Sequence, residues 1–207
     1  MLPLSTLAIF IPTFFFVSVT PGMCMTLALT LGMSVGLKRS LPMMAGELLG
    51  VGIIAALAAV GVATIMLQFP EVFTLFKLAG GLYLGWIGIE MWRSRGSLAI
   101  PENIDTPPSS KPLDLALKGF ITAIANPKGW AFFISLLPPF LNQTQPLAPQ
   151  LAVLIAMILT MEFICLLLYA TGGQALRHLL LDRGNVRLLN RIAGTLMIGV
   201  GLWLIVG

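Results

Sequence analysis

Six stretches of this sequence are long enough and apolar enough to cross a lipid bilayer, and that constrains the fold more than any motif does. They run from Leu2 to about Leu37, Leu41 to Leu67, Val72 to Trp92, Leu115 to Leu141, Leu147 to Thr171, and Leu188 to Val206. A spanning helix needs about 20 mostly apolar residues. Charged residues make up 10% of the chain, less than half of the roughly 25% in a soluble domain. So few charges cannot wet a globular surface. The expected class is an all-α integral membrane protein, with residues 1–207 forming one transmembrane domain.

The first stretch is too long for one straight helix. Its 36 residues would reach about 54 Å, against a hydrocarbon core of about 30 Å. It is also interrupted, at Thr20-Pro21-Gly22. One broken span fits the charge pattern better than two spans. The N-terminus "MLPLSTLAIF" lacks the basic region of a signal peptide, so this segment is expected to stay in the protein.

The formal net charge of +4 does not indicate nucleic acid, because the basic residues alternate between loops. Lys38 and Arg39 follow the first span. Arg93, Arg95, Lys111 and Lys118 lie between the third and fourth. Arg177, Arg183, Arg187 and Arg191 lie between the fifth and sixth. The intervening loops "QFPE" and "NQTQP" carry none, with Lys77 somewhat beyond the first. This is the positive-inside bias. It predicts cytoplasmic loops one, three and five, both termini outside, and membrane lipids as the partners of those cations.

Residues 93–114, "RSRGSLAIPENIDTPPSSKPLD", are proline-rich and of mixed charge, and read as a cytoplasmic linker. They divide the chain into halves 1–92 and 115–207 with three spans each. Three is odd, so the second half enters from the opposite side: two inverted three-helix repeats, a recurring transporter plan. The second half repeats the interruption in its first span, at Asn126-Pro127-Lys128. Helices 1 and 4 are therefore expected to break near the midplane.

Proline lacks an N–H and suits the first position of a helix after a Thr or Asn cap. Thr20-Pro21 and Asn126-Pro127 both fit cap and first position. Each break would start a half-helix whose N-terminus carries unpaired N–H groups and about half a positive charge. Such ends are tolerated at depth only against protein or a watery cavity. Entering from opposite sides, two of them could meet one anion, such as a carboxylate. Gly22 allows close approach and Lys128 adds a full charge. The competing reading is a pair of proline kinks packed in protein.

Lys128 and Glu162, each within a span, are costly there, at about 2.5–3.5 kcal/mol for a lysine. Glu162 can pair with Lys128, bind a substrate ammonium group, or carry a proton. Glu47 is the weaker proton-coupling candidate. Counted from Leu41 it lies only about 9 Å in, where pairing with Lys38 or Arg39 competes. The repeats Gly32-x-x-x-Gly36, Gly46-x-x-x-Gly50 and Gly81-x-x-x-Gly85 read as helix-packing faces that permit a homodimer without requiring one. His178 reads as a solvated loop residue. Cys24 and Cys165 form no disulfide framework. No metal-ligand spacing, P-loop or dinucleotide fingerprint is present, so neither a metal nor a cofactor is expected.

Three blocks in this order resemble the LysE/RhtB-type amino-acid exporters: "TPGMCMTLALTLGMSVGLKRSLPMMAGELLG", "KLAGGLYLGWIGIEMWRSR" and "KGFITAIANPKGWAFFISLLPPF". The resemblance covers nearly the whole chain. It implies export of amino acids or close derivatives across a bacterial cytoplasmic (inner) membrane, driven by protons and involving no enzyme chemistry. It also implies substrate contacts from Thr20, Pro21, Gly22, Asn126, Pro127 and Lys128. Where the family continues TPG with Pro and a polar residue, Met23 and Cys24 stand here. That substitution points to a less polar ligand, or to Cys24 as a weak donor.

Three other functions compete. A membrane thiol–disulfide carrier would use Cys24 beside the first break, but the second break has no cysteine. An inorganic-ion exporter would want a ligand cluster in the spans. A structural or assembly protein leaves Lys128 and Glu162 without a task.

Overall fold

The computed structural model describes residues 4–94, 111–137, 140–142 and 145–206. Among them the regular structure is helical, with no strand. The linker expectation for 93–114 falls mostly on residues 95–110, outside the described part.

Helices α1 (Leu4–Val19) and α2 (Met23–Val35) come from the first stretch, and the break falls where Pro21 predicts it. The two pieces meet at 58°. The capping differs from expectation. Thr20 ends α1 instead of starting α2: its N–H donates to the Phe16 carbonyl at 3.2 Å and its Oγ1 to the same oxygen at 2.6 Å. With a carbonyl four residues back in reach, the hydroxyl bonds backward. Gly22 is the residue that caps α2, in extended conformation, and its carbonyl accepts the Thr26 N–H at 2.8 Å. The chain then reverses at Gly36, whose φ of 81° suits glycine, and enters α3 (Leu37–Gln68) at once.

Next come α4 (Pro70–Arg93), α5 (Pro112–Ile124) and α6 (Pro127–Leu136). The α5–α6 break follows the sequence expectation. The Asn126 carbonyl accepts the N–H of Gly129 at 3.1 Å and of Trp130 at 3.5 Å, with Pro127 at the first helical position. Helix α7 (Leu147–Leu181) has a non-helical residue at Gly173, and α8 (Arg183–Val206) closes the chain.

A bent helix frees carbonyls that must find donors. At each break an aromatic side chain supplies one. Tyr169 Oη of α7 donates to the Val19 carbonyl at 2.7 Å, and Trp130 Nε1 donates to the Ile124 carbonyl at 2.9 Å.

The helices pack through small residues. Helix α4 lies on α8, where a methyl on Gly88 would come within 2.6 Å of the Gly194 carbonyl oxygen, and one on Gly81 within 2.7 Å of that of Gly201. Methyls on Gly46 and Gly119 would collide with the carbonyls of Ala116 and Met43, so α3 and α5 touch backbone to backbone. Gly32 meets Ala170 of α7 in the same way. Two residues of the expected repeats differ: Gly85 and Gly36 have open space at the Cβ position. The working α4 face is Gly81 and Gly88, two turns apart.

By length and composition, two helices can cross a membrane, Leu37–Gly61 and Leu147–Gly173, and the bent α1–α2 pair makes a third. The other expected spans correspond to α4, α5 with α6, and α8. Large apolar side chains face outward: Leu49 and Val60 of α3 and Leu75 and Leu82 of α4 are each more than half exposed. In water such a surface would aggregate; in lipid it carries no penalty.

Candidate functional site

Two apolar clusters make the interior. One stacks Phe10, Phe14, Phe132, Phe133 and Phe140 of α1, α6 and the segment after it, with ring centroids 5.0–6.3 Å apart. The other gathers Met25, Ala28 and Leu29 of α2, Met43 and Met44 of α3, and Cys165 and Tyr169 of α7. At their junction is a cavity of about 80 Å³.

Both helix breaks border this cavity. Thr20, Gly22, Met23 and Cys24 come from the first, and Asn126 and Gly129 from the second. The N-termini of α2 and α6 therefore face the same space with the positive ends of their dipoles, the Gly129 N–H of α6 being already taken by the Asn126 carbonyl. Glu162 of α7 and Glu47 of α3 complete the polar lining. Phe14, Val17, Val51, Ile54, Phe132 and Phe133 form an apolar wall.

The two carboxyl groups are held differently. Glu162 accepts a hydrogen bond from Ser18 Oγ near the end of α1. Glu47 is 0% exposed, and neither of its oxygens has a hydrogen-bond partner of good geometry among the described residues. It faces Cys24 and Glu162 across the cavity. The cost of burying a carboxylate without partners is severe, and Cys24 and Glu162 are the polar side chains beside it. This sets aside the competing reading of Glu47 as a shallow residue paired with Lys38 or Arg39. Those two side chains are exposed, and α3 begins at Leu37, which puts Glu47 ten residues and about 15 Å into the helix.

Of the eight residues expected to contact substrate, Thr20, Gly22, Cys24, Asn126 and Glu162 line the cavity together. Pro21 does not. It lines a second cavity of about 290 Å³ between the first break, α4 and α8. Pro127 and Lys128 stand in the first turn of α6, and their side chains lie outside the described residues. Cys24 contacts both Asn126 and Glu47. Cys165 is unbonded and buried in the second cluster. Among the described residues no three His, Cys, Asp or Glu side chains gather as a metal site requires.

Sequence reasoning did not find Ser18, Glu90 or Asn190. Ser18 stands two residues before the first break, and that was the available signal. Glu90 and Asn190 carried none, because they line one cavity only through the way α4 lies on α8.

An apolar helical bundle with a polar chamber at two helix breaks defines a membrane protein with an internal site. The LysE type translocator family model matches residues 15–207, and the chain belongs to that family. It is similar to a homoserine/homoserine lactone efflux protein of Salmonella typhimurium, 27% identical over 89% of this chain and 88% of the relative. It is also similar to a leucine efflux protein of Klebsiella pneumoniae, 24% identical over 89% and 87%, and to a threonine efflux protein of Salmonella typhi, 29% identical over 94% and 89%. No solved structure matches the chain.

Proposed function

We propose that this protein is a secondary transporter that exports amino acids or close derivatives from the cytoplasm of a bacterium across its inner membrane, coupled to proton influx. In this reading six spans form two inverted three-helix halves, with loops one, three and five cytoplasmic and both termini outside. The observation that carries it is the shared chamber: two half-helix N-termini and two carboxyl groups border one cavity.

An amino acid matches that lining group by group. Its carboxylate meets the N–H groups and positive dipole ends of α2 and α6. Its ammonium group meets Glu162, which Ser18 orients. An uncharged side chain lies against the phenylalanine wall. Glu47, deeply buried beside the substrate position, takes and releases the driving proton. The efflux of homoserine, leucine and threonine named for the relatives agrees with a small substrate bearing one ammonium and one carboxylate. The exposed positions of Lys38, Arg39, Lys118, Arg187 and Arg191 suit the proposed cytoplasmic side.

Purified protein in liposomes, loaded with radiolabelled homoserine, threonine or leucine, tests the reading. Flux of at least one that is accelerated by an opposing proton gradient is expected. No flux of any of the three, with or without a gradient, would remove the proposal.

A further inference from the structure

The chamber between the breaks is small for its task. Ordinary small-molecule sites measure about 300–1,000 Å³, and this one is about 80 Å³. It has room for waters, each needing roughly 10–15 Å³, but must widen to enclose an amino acid. The second cavity, a depression largely open to the exterior, offers about 290 Å³. Thr20 lines both. The first helix break is therefore the partition between a narrow inner chamber and a wider outer one.

The outer cavity is built for a positive group. Glu90 and Trp86 lie on its α4 wall, offering a carboxylate and an aromatic face, both of which attract ammonium. The last turn of α4 adds the negative end of its dipole. Asn190 of α8, 8% exposed, donates to Ser94 Oγ at 2.9 Å and ties the end of α4 to α8 beside the opening. Ser94 is the second residue of the linker segment 93–114.

Resting on the export reading above, we propose that this outer cavity is a loading site. It takes the ammonium group of the amino acid from the cytoplasm at Glu90 and Trp86, and passes the molecule inward when the Thr20-Pro21-Gly22 break shifts. The sequence of contacts is then Glu90 first and Glu162 second, with the break between them.

Two variants test it in everted membrane vesicles, with homoserine, threonine and leucine as probes. Glu90→Gln should raise the half-saturating concentration of the transported probe about tenfold and leave the maximal rate largely intact. Glu71→Gln, an exposed acid at the far end of α4, should change neither. Trp86→Cys should react with an impermeant maleimide applied at the cytoplasmic face, and the transported amino acid should slow that reaction. The native cysteines are buried, so the unsubstituted protein supplies the background. Unchanged half-saturation in Glu90→Gln, or Trp86→Cys labelling indifferent to substrate, overturns the loading site while transport by the unsubstituted protein preserves the export reading. Absence of transport by the unsubstituted protein overturns both.

Discussion

The hydroxyl of Tyr169 on α7 donates to the main-chain carbonyl of Val19, the last residue of α1, at 2.7 Å. The break in the first span frees this carbonyl, and Tyr169 keeps it satisfied. The same bond ties the rim of the chamber to the helix that carries Glu162. It anchors α7 across the first break.

Tyr169→Phe should therefore destabilise the protein. Leaving a buried carbonyl unpaired costs about 1–3 kcal/mol. Thermal unfolding in detergent should shift to lower temperature, whereas Tyr83→Phe, on an outward-facing ring, should not shift it. Equal midpoints for the two variants would mean that the bond contributes nothing.

The α4–α8 contact gives a second, purely steric prediction. A methyl at Gly88 would stand 2.6 Å from the Gly194 carbonyl oxygen and 2.7 Å from Ile198, while one at Gly85 meets nothing within 4 Å. Gly88→Ala should lose about 1–3 kcal/mol through overpacking. Gly85→Ala should be neutral or stabilising, since alanine is the better helix former by about 1 kcal/mol. Detergent stability of the pair, measured side by side, separates these outcomes.

Both breaks were legible in the sequence because proline at depth has few comfortable places, and Asn126-Pro127 folds as its chemistry dictates. Thr20 reads as a cap from the sequence, but its hydroxyl has another acceptor, the Phe16 carbonyl, that only an intact preceding helix provides. The apolar pattern from Leu41 makes Glu47 look shallow, whereas the turn at Gly36 starts α3 at Leu37. The donors that complete the breaks, Tyr169 and Trp130, were invisible for different reasons. Tyr169 lies 150 residues from its acceptor. Trp130 bonds backward across a break whose bend no local pattern specifies.

Ser18 and Glu162 yield a graded prediction on substrate affinity. If Glu162 holds the substrate ammonium, as the export reading has it, Glu162→Gln loses a hydrogen bond to a charged group, worth about 1.5–3 kcal/mol, which corresponds to roughly 10- to 150-fold in half-saturating concentration. Ser18→Ala leaves the carboxyl in place but unoriented and should cost less than Glu162→Gln. Concentration dependence of uptake into everted vesicles orders the variants. A Ser18→Ala defect as large as that of Glu162→Gln would argue that the hydroxyl itself contacts substrate.

Within the export reading, Glu47 offers a way to separate transport from its driving force. Its side chain is buried and lacks a partner of good geometry among the described residues, so a role in holding the fold together is a weak explanation for its presence. Glu47→Gln keeps the shape and removes the exchangeable proton. If this residue carries the proton, the variant should lose gradient-driven efflux, by about 100-fold or more given the roughly 10²–10⁴-fold contributed by positioned proton-transfer groups. It should still exchange labelled for unlabelled substrate across liposomes with no gradient, because exchange needs the chamber and the moving break but no net proton. Glu47→Asp, which restores a carboxyl on a shorter arm, should recover part of the driven flux. Retention of full gradient-driven efflux by Glu47→Gln would assign the proton to another group, with Glu162 the remaining carboxyl in the chamber. Loss of exchange together with driven flux would instead make Glu47 part of the substrate site.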